Sequence, residues 1–358
     1  MTPSSESRPS PGSQVDDKAA EGAAIQLIVQ LSLGYVVSAA LHVALELGIA
    51  DRLANGPRTS ADLAKDAGVN EDALYRVLRA LASAGVFEEQ QPRTFALNLP
   101  AAVLKQGPAS LRDVGLWMTD PFHFRVYAET LYSVTTGQPA VEKVTGMPVF
   151  EYFAREPKLS AVFNNAMTSW SGPTVAAALR AYDFSGIQLL VDVAGGHGYV
   201  LTSVLRQYPT MRGVLFDLDH VIAGAAPLID AAGVRDRVET VSGDFFKAVP
   251  SGGDAYIMKN IIHDWDDDRA IAILKNIRSA LGDRRDGRVI LLEAVIPPGN
   301  QPDFGKLIDL EMLLMPGGRE RTSDEFASLF DRAGFELARI VPTESPLSVV
   351  EARVTRRS

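Results

Sequence analysis

The chain has no cysteine among its 358 residues. Disulfide bonds, thiolate metal sites and cysteine nucleophiles are therefore excluded. Histidine is nearly as scarce, and its five members are not grouped at the spacing of metal ligands: His42, His123, His197, His220 and His263. This scatter disfavours a zinc site, and we expect no metal, although a histidine count does not exclude an oxygen-ligated magnesium ion.

The sequence also lacks a run of about 20 apolar residues, which a membrane-spanning helix needs, and an excess of positive charge. Its formal net charge is −9, whereas a nucleic-acid surface is normally basic. The first twenty residues are rich in serine, proline and charge, so they predict a disordered tail (1–20) rather than a signal peptide. We therefore expect a soluble, cytoplasmic protein with neither a membrane nor a nucleic-acid partner.

Residues 21–105 combine a long helical pattern with a winged-helix pattern. Over 24–53, apolar residues cover broad helical faces, which suggests burial against another element or another subunit. Thr59 and Asn70 then stand where helix caps belong. The elements that follow from this pattern are helices over 61–67 and 71–84 and strands over 86–89 and 94–97. Two helices and a β-hairpin in this order predict a winged helix-turn-helix.

The charge of this winged region argues against DNA binding. Over residues 51–100, six basic and seven acidic side chains give a net charge of −1. The second helix begins with Glu71-Asp72, where a DNA reader places basic or amide side chains. We therefore predict a structural or dimerising role and keep a winged-helix DNA-binding regulator as the less favoured alternative.

The texture of the sequence changes near residue 185. Residues 106–185 are mostly helical in pattern and carry dispersed aromatic residues, which usually fill a core and in part can line an acceptor pocket. From 186 to 358, short apolar runs alternate with helix-length stretches, which predicts an α/β domain with a parallel, Rossmann-like sheet. The predicted strands are 189–193, 213–216, 238–241, 255–258 and 289–293.

A glycine-rich turn follows the first of these strands, in Asp192-Val193-Ala194-Gly195-Gly196-His197-Gly198. Glycines let a ligand approach the backbone, and the next helix offers free N–H groups. Asp217 ends the second strand, where a carboxylate can accept the ribose hydroxyls; alternatively it caps a helix near His220. Asp244 and Phe245 follow the third strand and suit an adenine base; the alternative is a turn aspartate beside core phenylalanines.

These elements would serve NAD as well as a single nucleoside. A dinucleotide site normally has the pattern Gly-x-Gly-x-x-Gly. Here Leu201 takes the place of the third glycine if the pattern starts at Gly196, and His197 takes the place of the second if it starts at Gly195. We therefore favour a single-nucleoside ligand.

His263 follows the fourth strand, in Lys259-Asn260-Ile261-Ile262-His263-Asp264-Trp265. The carboxyl edge of a parallel sheet is where such folds place ligands, and a histidine there can remove a proton from a hydroxyl. Glu293 ends the fifth strand and Glu320 lies in a later glycine-rich segment, and both can orient the imidazole. Alone, His263 is better explained as a structural hydrogen bonder, but its place beside the cofactor elements favours a catalytic base.

Together these stretches resemble the plant caffeic-acid/flavonoid type of O-methyltransferase and its bacterial relatives that act on aromatic natural products. The matching stretches are Asp192–Gly198, Phe216–Leu218, Gly243–Phe246, Lys259–Trp265 and Gly317–Thr322. The winged-helix pattern is similar to this family's dimerisation domain, so the resemblance covers nearly the whole chain after the tail. It implies S-adenosyl-L-methionine as cofactor, S-adenosyl-L-homocysteine as product, a small hydroxylated aromatic acceptor and a homodimer.

The resemblance also implies roles for single residues. The implied cofactor contacts are Gly195, Gly196, Asp217, Asp244, Phe245, Lys259 and Ser171. The implied acceptor contacts are Phe163, Met167, Met312 and Met315, although methionine on a helix is more often core. The implied catalytic set is His263, Glu293 and Glu320. Ala194 stands where the family usually has glycine, which matters only if that position requires a positive φ.

The implied reaction displaces a methyl group from a sulfonium, whose leaving group departs neutral, so it needs neither a metal nor an oxyanion hole. Catalysis then consists of holding a hydroxyl oxygen in place and removing its proton. The sequence leaves open the acceptor, the position methylated, and whether nitrogen replaces oxygen. A relative that binds the cofactor without transferring methyl is the other alternative, disfavoured by the complete set of one histidine and two glutamates.

Overall fold

The computed structural model describes residues 11–107 and 110–355. The chain divides into two compact units at the junction of Asp120 and Pro121. This junction lies between the predicted boundaries at 105 and 185, and the finer division into domains stays a prediction.

The first unit is mostly helical with one small sheet. Its described helices are α1 (Pro11–Ser32), α2 (Gly34–Glu46), α3 (Ile49–Arg52), α4 (Ser60–Ala67), α5 (Glu71–Ser83), α6 (Leu99–Ala102) and α7 (Arg112–Met118). Its strands β1 (Arg58–Thr59), β2 (Glu88–Gln91) and β3 (Thr94–Ala96) pair antiparallel in the order β1-β3-β2.

The winged helix is confirmed, and the predicted capping residues begin its helices. Thr59 accepts a hydrogen bond from the N–H of Asp62 at the start of α4, and Asn70 accepts one from Ala73 at the start of α5. Each supplies an acceptor to a first-turn N–H that has no partner within the helix. Arg93, beside the hairpin, pairs with the two acidic residues that begin α5, at 3.3 and 3.2 Å.

Helix α1 corrects one prediction. It begins at Pro11, within the segment for which composition predicted a disordered tail (1–20); residues 1–10 lie outside the described part of the chain. For residues 11–20 the structure has a helix instead. Proline at the first helical position is already set to a helical φ, and the alanine-rich run 19–24 favours the same conformation.

Helices α1 and α2 present large apolar side chains to solvent. Those between 39% and 68% exposed are Ile25, Leu27, Ile28, Val29, Leu31, Leu33, Tyr35, Val36 and Val37. Burial against another element or another subunit was predicted for this stretch, and the described residues bury only its later part, from Ala44 onward. No single described helix is both long and apolar enough to cross a membrane; only Ala19–Ser32 and Gly34–Glu46 taken together, bent by 46°, meet that test of length and composition.

The second unit is an α/β domain. Its described helices are α8 (Pro121–Tyr127), α9 (Thr130–Thr136), α10 (Ala140–Thr145), α11 (Val149–Arg155), α12 (Pro157–Ala181), α13 (Tyr199–Gln207), α14 (Asp219–Ile222), α15 (Ala226–Ala231), α16 (Asp267–Leu281), α17 (Phe304–Leu314) and α18 (Ser323–Ala333). Its strands are β4 (Leu189–Val193), β5 (Arg212–Asp217), β6 (Val238–Ser242), β7 (Ala255–Lys259), β8 (Arg288–Glu293), β9 (Phe335–Val341) and β10 (Ser348–Val354).

The seven strands form one mixed sheet in the order β6-β5-β4-β7-β8-β10-β9. The five predicted strands, β4 to β8, are parallel as expected. The predicted Rossmann-like sheet is confirmed, and at its far edge the structure adds β10, which was not predicted and runs antiparallel to both β8 and β9. A loop of six residues (342–347) joins β9 to β10, so they pair as a hairpin rather than through a crossover helix.

Helices cover both faces of this sheet. Successive residues of β4 alternate between two cores, with Val191 and Val193 facing the side packed by α16 and α18 and Leu190 facing the side packed by α12 and α13. This alternation follows from the two-residue period of a strand. Burial on both faces explains why the strand reads as a short continuous apolar run.

The order of the strands fixes the position of the site. After β4 the chain moves to one side, through β5 and β6, and then returns to place β7 on the other side of β4. Such a reversal opens a crevice at the carboxyl ends of the two central strands, where ligands bind in open α/β sheets.

Candidate active site

The glycine-rich turn after β4 leaves no space for a side chain at its first glycine. A Cβ on Gly195 would lie 2.5 Å from the carboxyl carbon of Asp192 and 2.6 Å from a methyl carbon of Leu215. Gly196 follows with a φ of 59°. Because only glycine fits these two positions without strain or clash, the backbone itself forms this part of the site.

Ala194 adopts the left-handed conformation, with a φ of 56°. Its N–H donates a hydrogen bond of 2.8 Å to the carbonyl of Phe216 on β5, which ties the turn to the neighbouring strand. The departure from the family's glycine therefore falls where a positive φ is required. For a residue with a side chain, this conformation costs about 1–2 kcal/mol.

Asp217, at the end of β5, is joined to the glycine-rich turn. Its Oδ2 accepts a hydrogen bond of 2.8 Å from the N–H of Gly196, and its Oδ1 accepts one of 2.7 Å from Leu218. It does not cap α14, because that short helix begins after Leu218 without a side-chain cap. The capping alternative is therefore not what this carboxylate does.

Asp244 and Phe245 follow β6 and lie beside the aromatic residues near His263. Oδ1 of Asp244 accepts a hydrogen bond of 2.9 Å from the N–H of Phe246. The ring centroid of Phe245 lies 6.1 Å from that of Trp265, and the ring of Phe246 lies 4.9 Å from it. The turn is thus held in place both by its aspartate and by partly buried aromatic rings.

Two ionisable side chains, the buried Asp192 and the partly buried Lys259, lie near the carboxyl ends of the central strands. Burial raises the pKa of Asp192 to about 7, against the hydrogen bond from the N–H of Leu201. Burial likewise lowers the pKa of Lys259, against the carboxylates around it. The Lys259 ammonium has no hydrogen-bond or ion-pair partner among the described residues. Sequence reasoning missed Asp192, although it begins the glycine-rich stretch, because an acid within an apolar strand carries no separate signal.

His263 lies in a 3₁₀ turn, Ile262–Asp264, directly after β7. Its Nδ1 is 2.7 Å from Oε1 of Glu320 and 3.6 Å from Oε2 of Glu293. Its Nε2 is 3.6 Å from Oδ1 of Asp264. The structure therefore brings together the three residues that the sequence singled out, and adds a third carboxylate.

Glu293 is fully buried and is hydrogen-bonded to the backbone that leads into the histidine turn. Its Oε1 accepts hydrogen bonds from the backbone N–H groups of Ile261 and Ile262, at 3.1 and 3.0 Å. Oε2 of Glu293 and Oε2 of Glu320 are both buried and have no hydrogen-bond partner among the described residues. Such unpaired acceptors are costly in a native core and are a common mark of a functional site.

The carboxylates dominate the titration of this cluster. Burial alone lowers the pKa of His263, but Glu293 and Glu320 outweigh it and raise that pKa to about 10. Burial raises the pKa of Glu293 to about 7 and that of Asp264 to about 6, in both cases against the neighbouring imidazole. In the protein alone, His263 therefore carries its proton at neutral pH.

The same three donors are close enough to raise the question of a metal ion, since ligand atoms of His263, Glu293 and Glu320 all lie within 4.8 Å of one another. Tetrahedral ligands at about 2.0–2.1 Å from an ion stand about 3.4 Å apart. The 2.7 Å between Nδ1 and Oε1 is shorter and matches a direct, charge-assisted hydrogen bond. The geometry therefore favours a shared proton over a shared ion.

The segment that carries Glu320 packs backbone to backbone against the histidine turn. A Cβ on Gly318 would lie 2.0 Å from the carbonyl oxygen of His263. The N–H of Arg319 donates a hydrogen bond of 2.8 Å to that same oxygen. Gly318 is thus required for the close approach that lets Glu320 reach the imidazole.

The predicted acceptor residues lie on two helices, α12 and the end of α17. The ring centroid of Phe163 lies 5.0 Å from that of Phe153, while Met312 and Met315 are 8% and 3% exposed. The hydroxyl of Ser171 donates to the carbonyl of Met167 within α12, at 2.7 Å. Which of these side chains touch an acceptor or the cofactor stays a prediction.

Two family models match the chain. An O-methyltransferase dimerisation domain matches residues 29–107, and an O-methyltransferase domain matches residues 127–336, which is more than half of the chain. The resemblance inferred from the sequence is confirmed, and it now rests on both units of the protein.

Individual relatives agree over nearly the full length. A phenazine O-methyltransferase from Lysobacter antibioticus is 43% identical over 328 residues, covering 91% of this chain and 95% of the relative. A mitomycin biosynthesis 6-O-methyltransferase from Streptomyces lavendulae is 36% identical, covering 94% and 96%. The SAH-bound crystal structure of CalO1, a methyltransferase in calicheamicin biosynthesis, is 34% identical with a TM-score of 0.84, covering 93% of this chain and 98% of that one. The chain therefore belongs to the O-methyltransferase family and is an S-adenosylmethionine-dependent methyltransferase.

Proposed function

We propose that the protein methylates a hydroxyl group of an aromatic natural product and that His263 is the general base. The observation that carries the proposal is the 2.7 Å contact between Nδ1 of His263 and Oε1 of Glu320. This contact commits Nδ1 to donating, so Nε2 is the atom left to take a proton from an acceptor hydroxyl. A positioned base of this kind typically contributes a factor of about 10²–10⁴ to the rate.

Glu320 and Glu293 orient and stabilise the base in this proposal. Glu320 holds the imidazole in one tautomer through its direct hydrogen bond. Glu293 is 3.6 Å from the same nitrogen and fixes the backbone of the turn through Ile261 and Ile262. Both negative charges favour the imidazolium that forms when His263 accepts the proton.

The donor set fits S-adenosylmethionine. Gly195 and Gly196 present only backbone in the glycine-rich turn, Asp217 and Asp244 offer carboxylates, and Lys259 offers an unpaired ammonium. The residues we assign to the cofactor are Gly195, Gly196, Asp217, Asp244, Phe245, Lys259 and Ser171. When bound, the cofactor supplies a methyl group on a sulfonium that leaves as a neutral thioether. The chain then has only to hold an acceptor oxygen in line, exclude water and take up the proton.

For the acceptor we propose a flat, hydroxylated aromatic compound. Two observations support this class: the phenazine named for the 43% identical relative, and the predicted pocket of one phenylalanine and three methionines, Phe163, Met167, Met312 and Met315. Methionine adapts to flat rings through its flexible, polarisable side chain.

We also propose that the protein is a homodimer. The exposed apolar faces of α1 and α2 belong in part to the segment that matches the dimerisation domain. Contiguous apolar surface of this kind marks a protein–protein interface. Light scattering after size-exclusion chromatography tests this, since a monomer of 38.6 kDa at micromolar concentration contradicts the proposal.

The function is tested by incubating the protein with isotopically labelled S-adenosylmethionine and a panel of hydroxylated phenazines, naphthols, simple phenols and matching aromatic amines. We expect transfer of label to one or more hydroxylated rings. The His263→Ala variant should lose about 10²–10⁴ in turnover while its affinity for S-adenosylhomocysteine, measured by calorimetry, stays within about twofold. His220→Ala, an exposed histidine on α14, is the matched control and should behave as wild type.

Several outcomes contradict the proposal. Unchanged turnover in His263→Ala removes the base assignment, and a collapse of cofactor affinity in that variant makes His263 part of the cofactor site instead. Cofactor binding without transfer to any of the panel favours a non-methylating relative. Loss of activity after EDTA treatment, restored by a divalent ion, makes the cluster a metal site. Methylation of the amines alone shows that nitrogen is the acceptor.

A further inference from the structure

Arg321 is the largest side chain that the described part of the chain buries completely, at 1% exposure. It follows Glu320 directly and lies in none of the cofactor or acceptor sets above. A buried guanidinium is expensive unless all of its donors are used. Its hydrogen bonds therefore show what the fold gains from it.

Three of these bonds go to backbone carbonyls around the catalytic turn. Nη1 donates to the carbonyls of Ile262 (3.1 Å) and Arg319 (3.3 Å), and Nη2 donates to that of Trp265 (2.9 Å). Ile262 and Trp265 stand on either side of His263-Asp264. The guanidinium thus hydrogen-bonds to the turn both before and after His263. The carbonyls of a short 3₁₀ turn have few hydrogen-bond donors within the turn itself.

The charge of Arg321 is balanced by Asp267. Oδ1 of Asp267 accepts from both Nε (3.1 Å) and Nη2 (2.9 Å). Asp267 is the first residue of α16, so this ion pair attaches the catalytic turn to the start of the following helix. Its side chain is 42% exposed, which places the partner at the surface and the guanidinium inside.

The backbone of Arg321 completes the connection to Glu293. Residues Val295 and Arg321 form a parallel bridge, and the N–H of Ile296 donates to the carbonyl of Arg321 at 3.0 Å. Glu293 ends the strand that leads into this bridge. Arg321 therefore joins three segments, and each of them carries one member of the His263, Glu293 and Glu320 cluster.

We propose that Arg321 is the positioning residue of the active site: it holds the His263 turn at hydrogen-bonding distance from Glu320 and so sets the orientation of the base. This inference rests on the proposed role of His263. No lysine can replace Arg321 fully, because the planar guanidinium offers five donors in a fixed geometry and the ammonium offers three from a single point.

The variants are Arg321→Met, which keeps a long apolar stem, Arg321→Lys, which keeps the charge, and Asp267→Asn, which keeps an acceptor oxygen and removes the negative charge that balances Arg321. Arg319→Met is the matched control. Arg319 lies two residues earlier, and its half-exposed side chain pairs with Glu325. Its own contact with the histidine turn is made by the backbone N–H and survives the substitution.

The first readout needs no acceptor. Protein labelled with ¹³C in the histidine rings is bound to S-adenosylhomocysteine, and the ring signal of His263 is identified by its absence in His263→Ala. We expect that signal to shift and broaden in Arg321→Met and, to a smaller extent, in Arg321→Lys and Asp267→Asn, and to stay in place in Arg319→Met. Coincident His263 signals in wild type and in folded Arg321 variants overturn the proposal.

The second readout separates positioning from mere support of the fold. With an accepted hydroxylated phenazine or other acceptor from the panel, we expect kcat to fall about 100-fold in Arg321→Met while the KM for S-adenosylmethionine changes less than about threefold. Arg321→Lys should recover part of kcat. Equal losses in kcat and cofactor affinity overturn the proposal in favour of general structural support.

The two proposals fail differently. If His263→Ala keeps full turnover, the base assignment is wrong whatever the NMR signals do. If the His263 signal is insensitive to Arg321 while His263→Ala is inactive, the base stands and the positioning role falls. If Arg321→Met does not fold, as judged by circular dichroism, Arg321→Lys and Asp267→Asn decide between these outcomes.

Discussion

Replacing Ala194 with glycine should stabilise this enzyme, which is unusual for an alanine-to-glycine change. The φ of Ala194 is 56°, a conformation that costs a side-chain-bearing residue about 1–2 kcal/mol. Glycine removes this strain but gains freedom in the unfolded chain, which costs about 0.4–1 kcal/mol. The difference leaves a net gain of up to about 1.5 kcal/mol, with about 0.8 kcal/mol as the central expectation.

The assay is thermal unfolding of the protein saturated with S-adenosylhomocysteine, beside a urea titration. For a domain of about 150–250 residues, each kcal/mol moves Tm by about 2–4 °C, so Ala194→Gly should raise Tm by about 2–3 °C. Ala232→Gly is the control, because Ala232 directly follows α15 and still has an ordinary helical φ of −76°. There the same change should cost about 0.5–1 kcal/mol.

A Tm for Ala194→Gly that falls as far as that of Ala232→Gly would refute the reasoning. It would mean that the turn does not hold residue 194 in the left-handed region. An intermediate result, in which Tm is unchanged but the affinity for S-adenosylhomocysteine rises, would still contradict the expected direction of the free energy of unfolding.

Three further outcomes follow from the same contacts. Glu293 and Glu320 outweigh burial and raise the pKa of His263 to about 10. The neutral imidazole therefore becomes more abundant as pH rises, and kcat/KM should increase about tenfold per pH unit between pH 7 and 9. Glu320→Gln should move this increase to lower pH, and a flat wild-type profile contradicts the assignment. Gly318→Ala puts a Cβ where the backbone of His263 lies, so kcat should fall about 100-fold, whereas Gly22→Ala, in open space, should leave it unchanged. Burial raises the pKa of Glu351, but hydrogen bonds from two arginines and a tyrosine outweigh burial and hold that pKa below its usual value. The ionised carboxylate therefore stabilises the fold fully above the unfolded pKa of about 4.3, and this stabilisation is lost as pH falls. Glu351→Gln should cost about 1–3 kcal/mol in urea unfolding at pH 7 and much less at pH 3, and equal costs at both pH values exclude this explanation.

The central strands of the fold could be predicted because burial on both faces requires a short continuous run of apolar residues, which is visible in the sequence. The strand predicted over 189–193 matches β4 residue for residue, β5 is longer than predicted by one residue at each end, and the other parallel strands differ by one residue at one end. The antiparallel hairpin of β9 and β10 was not predicted. β9 is a partly exposed edge strand and β10 is buried over most of its length, and nothing local tells either strand which neighbour it will join.

The site shows the same division. His263, Glu293 and Glu320 could be singled out because His263 follows a strand, Glu293 ends one and Glu320 lies in a glycine-rich segment. Arg321 could not, because a charged residue in a loop is normally exposed and its sequence carries no sign of burial. The reason for an arginine at this position becomes visible only in the structure, where Arg321 connects the backbones of segments 262–265, 293–296 and 319–321 through hydrogen bonds.

The charges of the site also account for the kind of ligand it takes. Four carboxylates surround two cations at the crevice, namely Asp192, Asp264, Glu293 and Glu320 around Lys259 and His263. Burial with so few counter-charges raises the pKa of three of these carboxylates, to about 7, 6 and 7 for Asp192, Asp264 and Glu293. These carboxylates would hold a cationic sulfonium at the crevice, and its charge would lower both this electrostatic cost and the pKa of a nearby imidazole. If His263 is the base, as we propose, a bound sulfonium would favour the neutral imidazole, whose Nε2 can accept the proton of the acceptor hydroxyl.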